Sequence, residues 1–211
     1  MSIELNKKTG INLSKGSSIS LKKEERKLEE ICVGINWGAI QKKFIISFFN
    51  ETETVDLDGS VSMFDANGNL VDTVYYRKLL SKDQAIKHSG DDRKGDLDKA
   101  DDFDNEVIQV NLKNVSANIQ QIVFYINSFK GQDFATIPYS KIRIFEGKPQ
   151  QVVSVFATFN LSAEPDFAGK VSMIMGKIVR EANGWKFMTI GEAIEAKNID
   201  ETIKAIQARY L

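Results

Sequence analysis

The chain has 211 residues, 42% of them hydrophobic, which is ample apolar material for a core. Its formal net charge is −1, which leaves no basic excess for binding nucleic acid, and its single cysteine, Cys32, excludes an internal disulfide. No run approaches the roughly 20 apolar residues of a membrane span, and Met1-Ser2-Ile3-Glu4-Leu5 offers no apolar signal core, so a soluble cytoplasmic protein without a transmembrane segment is expected.

Strand-like runs then follow one another. Ile19-Ser20-Leu21 predicts a short first strand, and the charged residues 22–27 an exposed turn. Residues 31–37 alternate, with Ile31, Val33, Ile35 and Trp37 on one face, the period of a half-buried strand. Residues 44–49 are apolar on both faces and predict a central or an inter-sheet strand. Asp56 and Asp58 lie two apart, so a strand turns both carboxylates to one face, where either a metal or water must meet them. Residues 61–64 and 70–76 flank Asp65-Ala66-Asn67-Gly68-Asn69 and read as a hairpin.

The next stretch carries most of the chemistry. Asp91, Asp92, Asp96, Asp98, Asp101, Asp102, Asp104 and Glu106 crowd into residues 91–106 with only Arg93, Lys94 and Lys99 as cations. Such a run is either a solvated loop or a site for a hard divalent ion. Close-set Asp oxygens interrupted by Gly90 and Gly95 suit calcium, which takes six to eight oxygens, better than octahedral magnesium. An EF-hand does not fit, because Asp101 stands at the sixth position and Val107 at the twelfth. His88, the only histidine, reads as a hydrogen-bonded residue shaping the loop, with a base or ligand role as the alternative.

Strands are expected over residues 107–112, 119–126, 139–145 and 153–161, with Val153, Val155, Ala157, Phe159 and Leu161 on one face of the last. A second hairpin, residues 171–180 and 185–190, turns at Asn183-Gly184. The period then changes. Asn198 caps a helix with Glu201 three residues on, and Ile199, Ile203, Ile206 and Tyr210 share its apolar face. About ten strands with turn residues between them predict one all-β domain over residues 1–211: a β-sandwich of two mainly antiparallel sheets, an acidic loop and a short C-terminal helix.

The string His88-Ser89-Gly90-Asp91-Asp92, Gly95-Asp96, Asp101-Asp102 and Asp104-Asn105-Glu106 resembles the signature of the TerD (tellurium-resistance, stress-response) family. Leu13-Ser14-Lys15-Gly16, Val33-Gly34-Ile35-Asn36-Trp37, Asp56-Leu57-Asp58 and Gly184-Trp185-Lys186-Phe187 match further landmarks in order, over nearly the whole chain. The resemblance implies a bacterial, cytoplasmic, calcium-binding β-sandwich tied to tellurite resistance and stress, with no established catalytic activity. It implies Asp56, Asp58, Asp91, Asp92, Asp96, Asp101, Asp102 and Glu106 as ligands, with Asp98 and Asp104 as further candidates. The sequence departs from the family where Ala100 and Phe103 stand in place of glycine, and between Trp37 and Asp56. The ion count is therefore open at one or two.

Three roles are compatible with these residues. The first is a non-catalytic binding or sensor module whose loop calcium orders, working with other stress-response or membrane-associated proteins. The second is a calcium-dependent adaptor on membrane lipids or a membrane complex. The third, least supported, is a metal-dependent hydrolase.

Overall fold

A computed structural model describes residues 10–23, 26–43, 50–93, 104–162 and 165–211. The first half of the chain forms β1 (Ile11–Leu13), β2 (Ser18–Ser20), β3 (Lys22–Lys23), β4 (Arg26–Lys27), β5 (Glu30–Trp37), β6 (Ile40–Lys43), β7 (Asn50–Glu53), β8 (Leu57–Phe64), β9 (Leu70–Val74) and β10 (Ile86–His88). The second half forms β11 (Glu106–Asn111), β12 (Gln121–Ser128), β13 (Tyr139–Lys148), β14 (Gln151–Ser162), β15 (Ser172–Glu181), β16 (Gly184–Ile194) and the helix α1 (Ile199–Arg209).

Two six-stranded sheets result, in the orders β1-β14-β13-β5-β11-β10 and β2-β16-β15-β12-β8-β9. Pairing within them is antiparallel except for β1 on β14. This is an all-β sandwich with a short C-terminal helix. One apolar core lies between the sheets: Val33, Ile35, Trp37, Ile108, Ile142 and Ile144 face Val61, Met63, Ile122, Phe124, Met175 and Phe187. Within residues 22–27, expected as an exposed turn, Lys22–Lys23 pairs with Arg26–Lys27 as the ribbon β3–β4. The expected strand over residues 44–49 lies outside the described residues.

Two strands depart from simple alternation for visible reasons. β5 is buried on both faces, because Cys32 packs under Val107 and Phe145 on the outer side of its sheet. A bulge at Ile144/Phe145 shifts β14, so Phe159 and Leu161 enter the core while Val155 packs on the outer face and Val153 is exposed. The expected single face from Val153 to Leu161 is therefore split in two.

The outer face of the second sheet carries α1. Ile203 and Ile206 pack on Phe64, Val123, Tyr125 and Ile174. The Asn198 side chain accepts from the Glu201 N–H at 2.9 Å, and Glu201 reaches back to the Lys197 N–H at 2.8 Å, so both sides of the cap are filled. Lys177 fastens the other end by donating to the Tyr210 carbonyl.

Candidate metal centre

The site grows from a gap in the second sheet. β12 pairs with β8 along its length, but β9 reaches back only to Val61. Gly59 thus has an N–H and a C=O aimed where no strand of the described residues runs, and a buried backbone group must find another partner. Two side chains from the first sheet supply it. Glu106, the first residue of β11, accepts the Gly59 N–H at 2.7 Å. His88, the last residue of β10, bonds the Gly59 carbonyl through Nε2 at 3.0 Å. The Gly90 N–H donates to His88 Nδ1 at 3.1 Å, which makes Nδ1 an acceptor and leaves the ring hydrogen on Nε2. Glycine at 59 permits this approach, because a Cβ there would lie 2.6 Å from Glu106 Oε2 and 2.8 Å from Ile35 Cδ1 and force one of them to move.

The same groups draw the start of the acidic loop over the gap. Glu106 Oε1 accepts the Asp92 N–H at 3.3 Å. Ser89 and Val107 exchange two hydrogen bonds, each 2.9 Å long. Asn105 Oδ1 accepts the Trp37 N–H at 2.8 Å, and its amide reaches the Asp92 carboxylate at 3.4 Å.

Held in this way, Asp91 meets the strand pair. One oxygen from each of Asp56, Asp58 and Asp91 lies within 4.8 Å of the others. Val55 and Leu57 point into the core, so alternation turns Asp56 and Asp58 outward together. Both remain buried, while Asp91 is exposed at the rim. Among the described residues two cations approach: Lys130 Nζ stands 3.9 Å from Asp56, and Arg93 donates to Asp91 at 2.9 Å. Asp58 has no side-chain hydrogen bond or ion pair among the described residues.

The electrostatics follow. Burial, with the nearby charges of Glu106, Asp56 and Asp91, pushes the Asp58 carboxyl up to about 7. Burial also raises Asp56, against the pull of Lys130, and raises Glu106, against the hydrogen bond from His88. Asp56 and Asp58, two buried carboxylates that are difficult to ionise together, are a pair whose charge a cation could neutralise. Oxygens that share one calcium at roughly 2.3–2.6 Å can lie no more than about 5 Å apart, and this trio meets that limit.

The other candidate ligands are placed differently. The Asp104 side chain is buried on the outer face of the first sheet, over Gly34, and pairs with Arg143 Nε at 2.8 Å. Glu106 lies beneath the trio as the prop for Gly59. Asp96, Asp98, Asp101 and Asp102 lie outside the described residues, as do Ala100 and Phe103. Sequence reasoning missed Gly59, although an isolated glycine within a strand pattern signals a close approach. Cys32 offers little thiol chemistry: burial, with the charges of Asp104 and Glu30, pushes it up to about 11.

The architecture and the acidic centre at the β8 edge define a class, a β-sandwich with residues 88–92 and 105–107, at the two ends of an acidic stretch, held at the open edge of one strand. The chain belongs to the TerD family: the TerD domain matches residues 9–205. Tellurium resistance protein TerZ of Serratia marcescens is 30% identical over 192 residues, covering 90% of this chain and 94% of that protein. Stress response protein SCP2 of Bacillus subtilis is 29% identical over 205 residues, covering 92% and 97%. The crystal structure of a homologue of telluride resistance protein (TerD) from Streptomyces coelicolor shares the fold, with a TM-score of 0.58 at 17% identity over 81% of this chain and 92% of that one. No helix among the described residues is long and apolar enough to cross a membrane.

Proposed function

We propose that the protein is a calcium-binding stress-response module of the tellurium-resistance type, one domain, bacterial and cytoplasmic, acting by binding or sensing and not by catalysis. The observation that carries this reading is the convergence of Asp56, Asp58 and Asp91 within 4.8 Å, two of them buried and only Asp56 of these two in an ion pair among the described residues. The names and bacterial sources of the relatives support the stress-response part.

Calcium, when bound, supplies the positive charge that these carboxylates lack. Asp56 and Asp58 present the strand half of the site, and Asp91 presents the loop half. Glu106 and His88 hold the two halves in register through Gly59. The remaining oxygens come from the rest of the acidic loop, which leaves one or two ions as the count. Partners are stress-response or membrane-associated proteins that meet the ordered loop.

Calcium titration by calorimetry on chelator-stripped protein, with magnesium as control, tests the reading. A stoichiometry of one or two with little magnesium response is expected, together with slower amide exchange over residues 88–93. No heat, with unchanged exchange, would overturn it.

A further inference from the structure

Two turns meet beside the acidic centre. Tyr75 and Lys78 exchange backbone hydrogen bonds of 3.1 and 2.8 Å, which close a tight turn over Tyr76-Arg77. A second turn carries Phe129-Lys130 and is closed by the Gly131 N–H, which donates to the Ser128 carbonyl at 3.3 Å. The Tyr76 and Phe129 rings stand edge to face with centroids 6.3 Å apart, so the two tips form one surface. The Phe129 N–H donates to the Asp56 carbonyl at 2.9 Å and fastens that surface to the backbone of the acidic centre.

Each tip sets a cation directly after its ring. Phe129 is 61% exposed, and Leu79 and Leu80, exposed as well, continue the chain beyond the first turn. Arg77 is exposed, lies over the Tyr76 ring at 5.3 Å and has no carboxylate partner among the described residues. Lys130 does have one. Its Nζ stands 3.9 Å from Asp56, and its charge opposes the rise that burial gives that carboxyl. Lys130 is thus a counter-ion that the protein supplies to its own acidic centre. A divalent ion that takes the Asp56 carboxylate must displace it, and the freed ammonium then stands beside Phe129, Tyr76 and Arg77.

Rings flanked by cations suit one kind of partner. At a lipid–water boundary aromatic rings sit at headgroup level, and Lys and Arg reach the phosphates. Two short turns are small against an ordinary protein interface, which takes about 20–30 residues a side, whereas a bilayer closes round a protruding tip. The neighbouring Asp56, Asp58 and Asp91 are repelled by an anionic surface until their charge is met.

We propose that Tyr76, Arg77, Phe129 and Lys130 form a docking surface for anionic lipid headgroups, and that Lys130 couples it to the acidic centre by leaving Asp56 for a headgroup when calcium binds. The inference rests on the calcium reading. Calcium frees Lys130 and lipid holds it away from Asp56, so each ligand tightens the other.

The test uses the full chain and vesicles of phosphatidylcholine, alone or mixed with phosphatidylserine. Co-sedimentation is measured in chelator and in calcium, beside calcium calorimetry without vesicles. The protein is expected to sediment with the mixed vesicles in calcium and to stay in solution in chelator or with phosphatidylcholine alone. Each cation near an anionic surface contributes about fivefold, so Arg77 and Lys130 together set the lipid preference at about thirtyfold. Phe129→Ala should weaken vesicle binding about tenfold and leave the calcium heat unchanged. Lys130→Met should tighten calcium about threefold without vesicles and weaken the vesicle step about fivefold. No sedimentation by a protein that binds calcium would overturn the proposal and leave the calcium reading standing. Equal sedimentation with phosphatidylcholine alone, or an unaffected Phe129→Ala variant, would do the same. Unchanged calcium affinity in Lys130→Met would overturn the coupling. Sedimentation in chelator by a protein that gives no calcium heat would uphold the docking surface and overturn the calcium reading.

Discussion

Replacing Gly59 by alanine is expected to destabilise the fold and to loosen the acidic loop in the same step. The new methyl would lie 2.6 Å from Glu106 Oε2 and 2.8 Å from Ile35 Cδ1, and both neighbours are fully buried. Overpacking of this kind costs about 1–3 kcal/mol. If the Glu106 carboxylate withdraws instead, it loses its 2.7 Å bond from the Gly59 N–H, and a hydrogen bond to a charged group contributes about 1.5–3 kcal/mol. Withdrawal relieves part of the clash, so the two terms overlap and the expected loss is about 3 kcal/mol, roughly 150-fold in the folding equilibrium. Urea unfolding in chelator reads the loss directly. Because Glu106 also accepts the Asp92 N–H, the variant should bind calcium more weakly as well. A loss below about 0.5 kcal/mol would refute the reasoning. So would an equal loss when Glu106→Ala is already present, since a double-mutant cycle must then show no coupling between the two positions.

Other perturbations separate the remaining features. The Asp58 carboxyl is raised towards 7, so the metal-free folded state binds more protons there than the unfolded chain. Stability in chelator should therefore rise as pH falls from about 7 to 4, and added calcium should flatten or reverse that slope; thermal melts across this range check it. Arg143→Met leaves the Asp104 carboxylate buried without its 2.8 Å guanidinium partner, and urea unfolding should show a loss of about 3 kcal/mol. Asn198→Ala removes the acceptor for the Glu201 N–H and should lower stability by about 1 kcal/mol, measured in the same way. Cys32, buried and pushed up to about 11, should be inert to a thiol-titrating disulfide reagent in native protein and react fully once denaturant is added. Rapid native labelling would contradict its placement beneath Phe145 and Val107.

Local patterns were legible because their physics is local. The alternation of Ile31, Val33, Ile35 and Trp37 marks β5, since one face of a strand repeats every second residue. The Asn67-Gly68 turn between β8 and β9 announces itself because Gly68 takes a φ of +77°, which few other residues adopt cheaply. Asn198 and Glu201 identify the start of α1 because capping is a contact between near neighbours. Where the period failed, at β14, a bulge had inserted a residue, and a bulge depends on the partner strand.

The acidic centre divides along the same line. The outward pairing of Asp56 and Asp58, the density of carboxylates after Gly90 and the family likeness are all properties of the chain alone. Which acids meet is not. Asp91 joins Asp56 and Asp58 across more than thirty positions, while Asp104, equally acidic in the sequence, is taken by Arg143. Glu106 and His88 bond to Gly59 because β9 stops short at Val61, and no residue pattern records where a neighbouring strand will end. The sequence alone determined which short-range structures form, through backbone preference and alternation. Tertiary structure alone decided which distant side chains share a space, because that depends on where the sheets leave backbone groups and charges without partners.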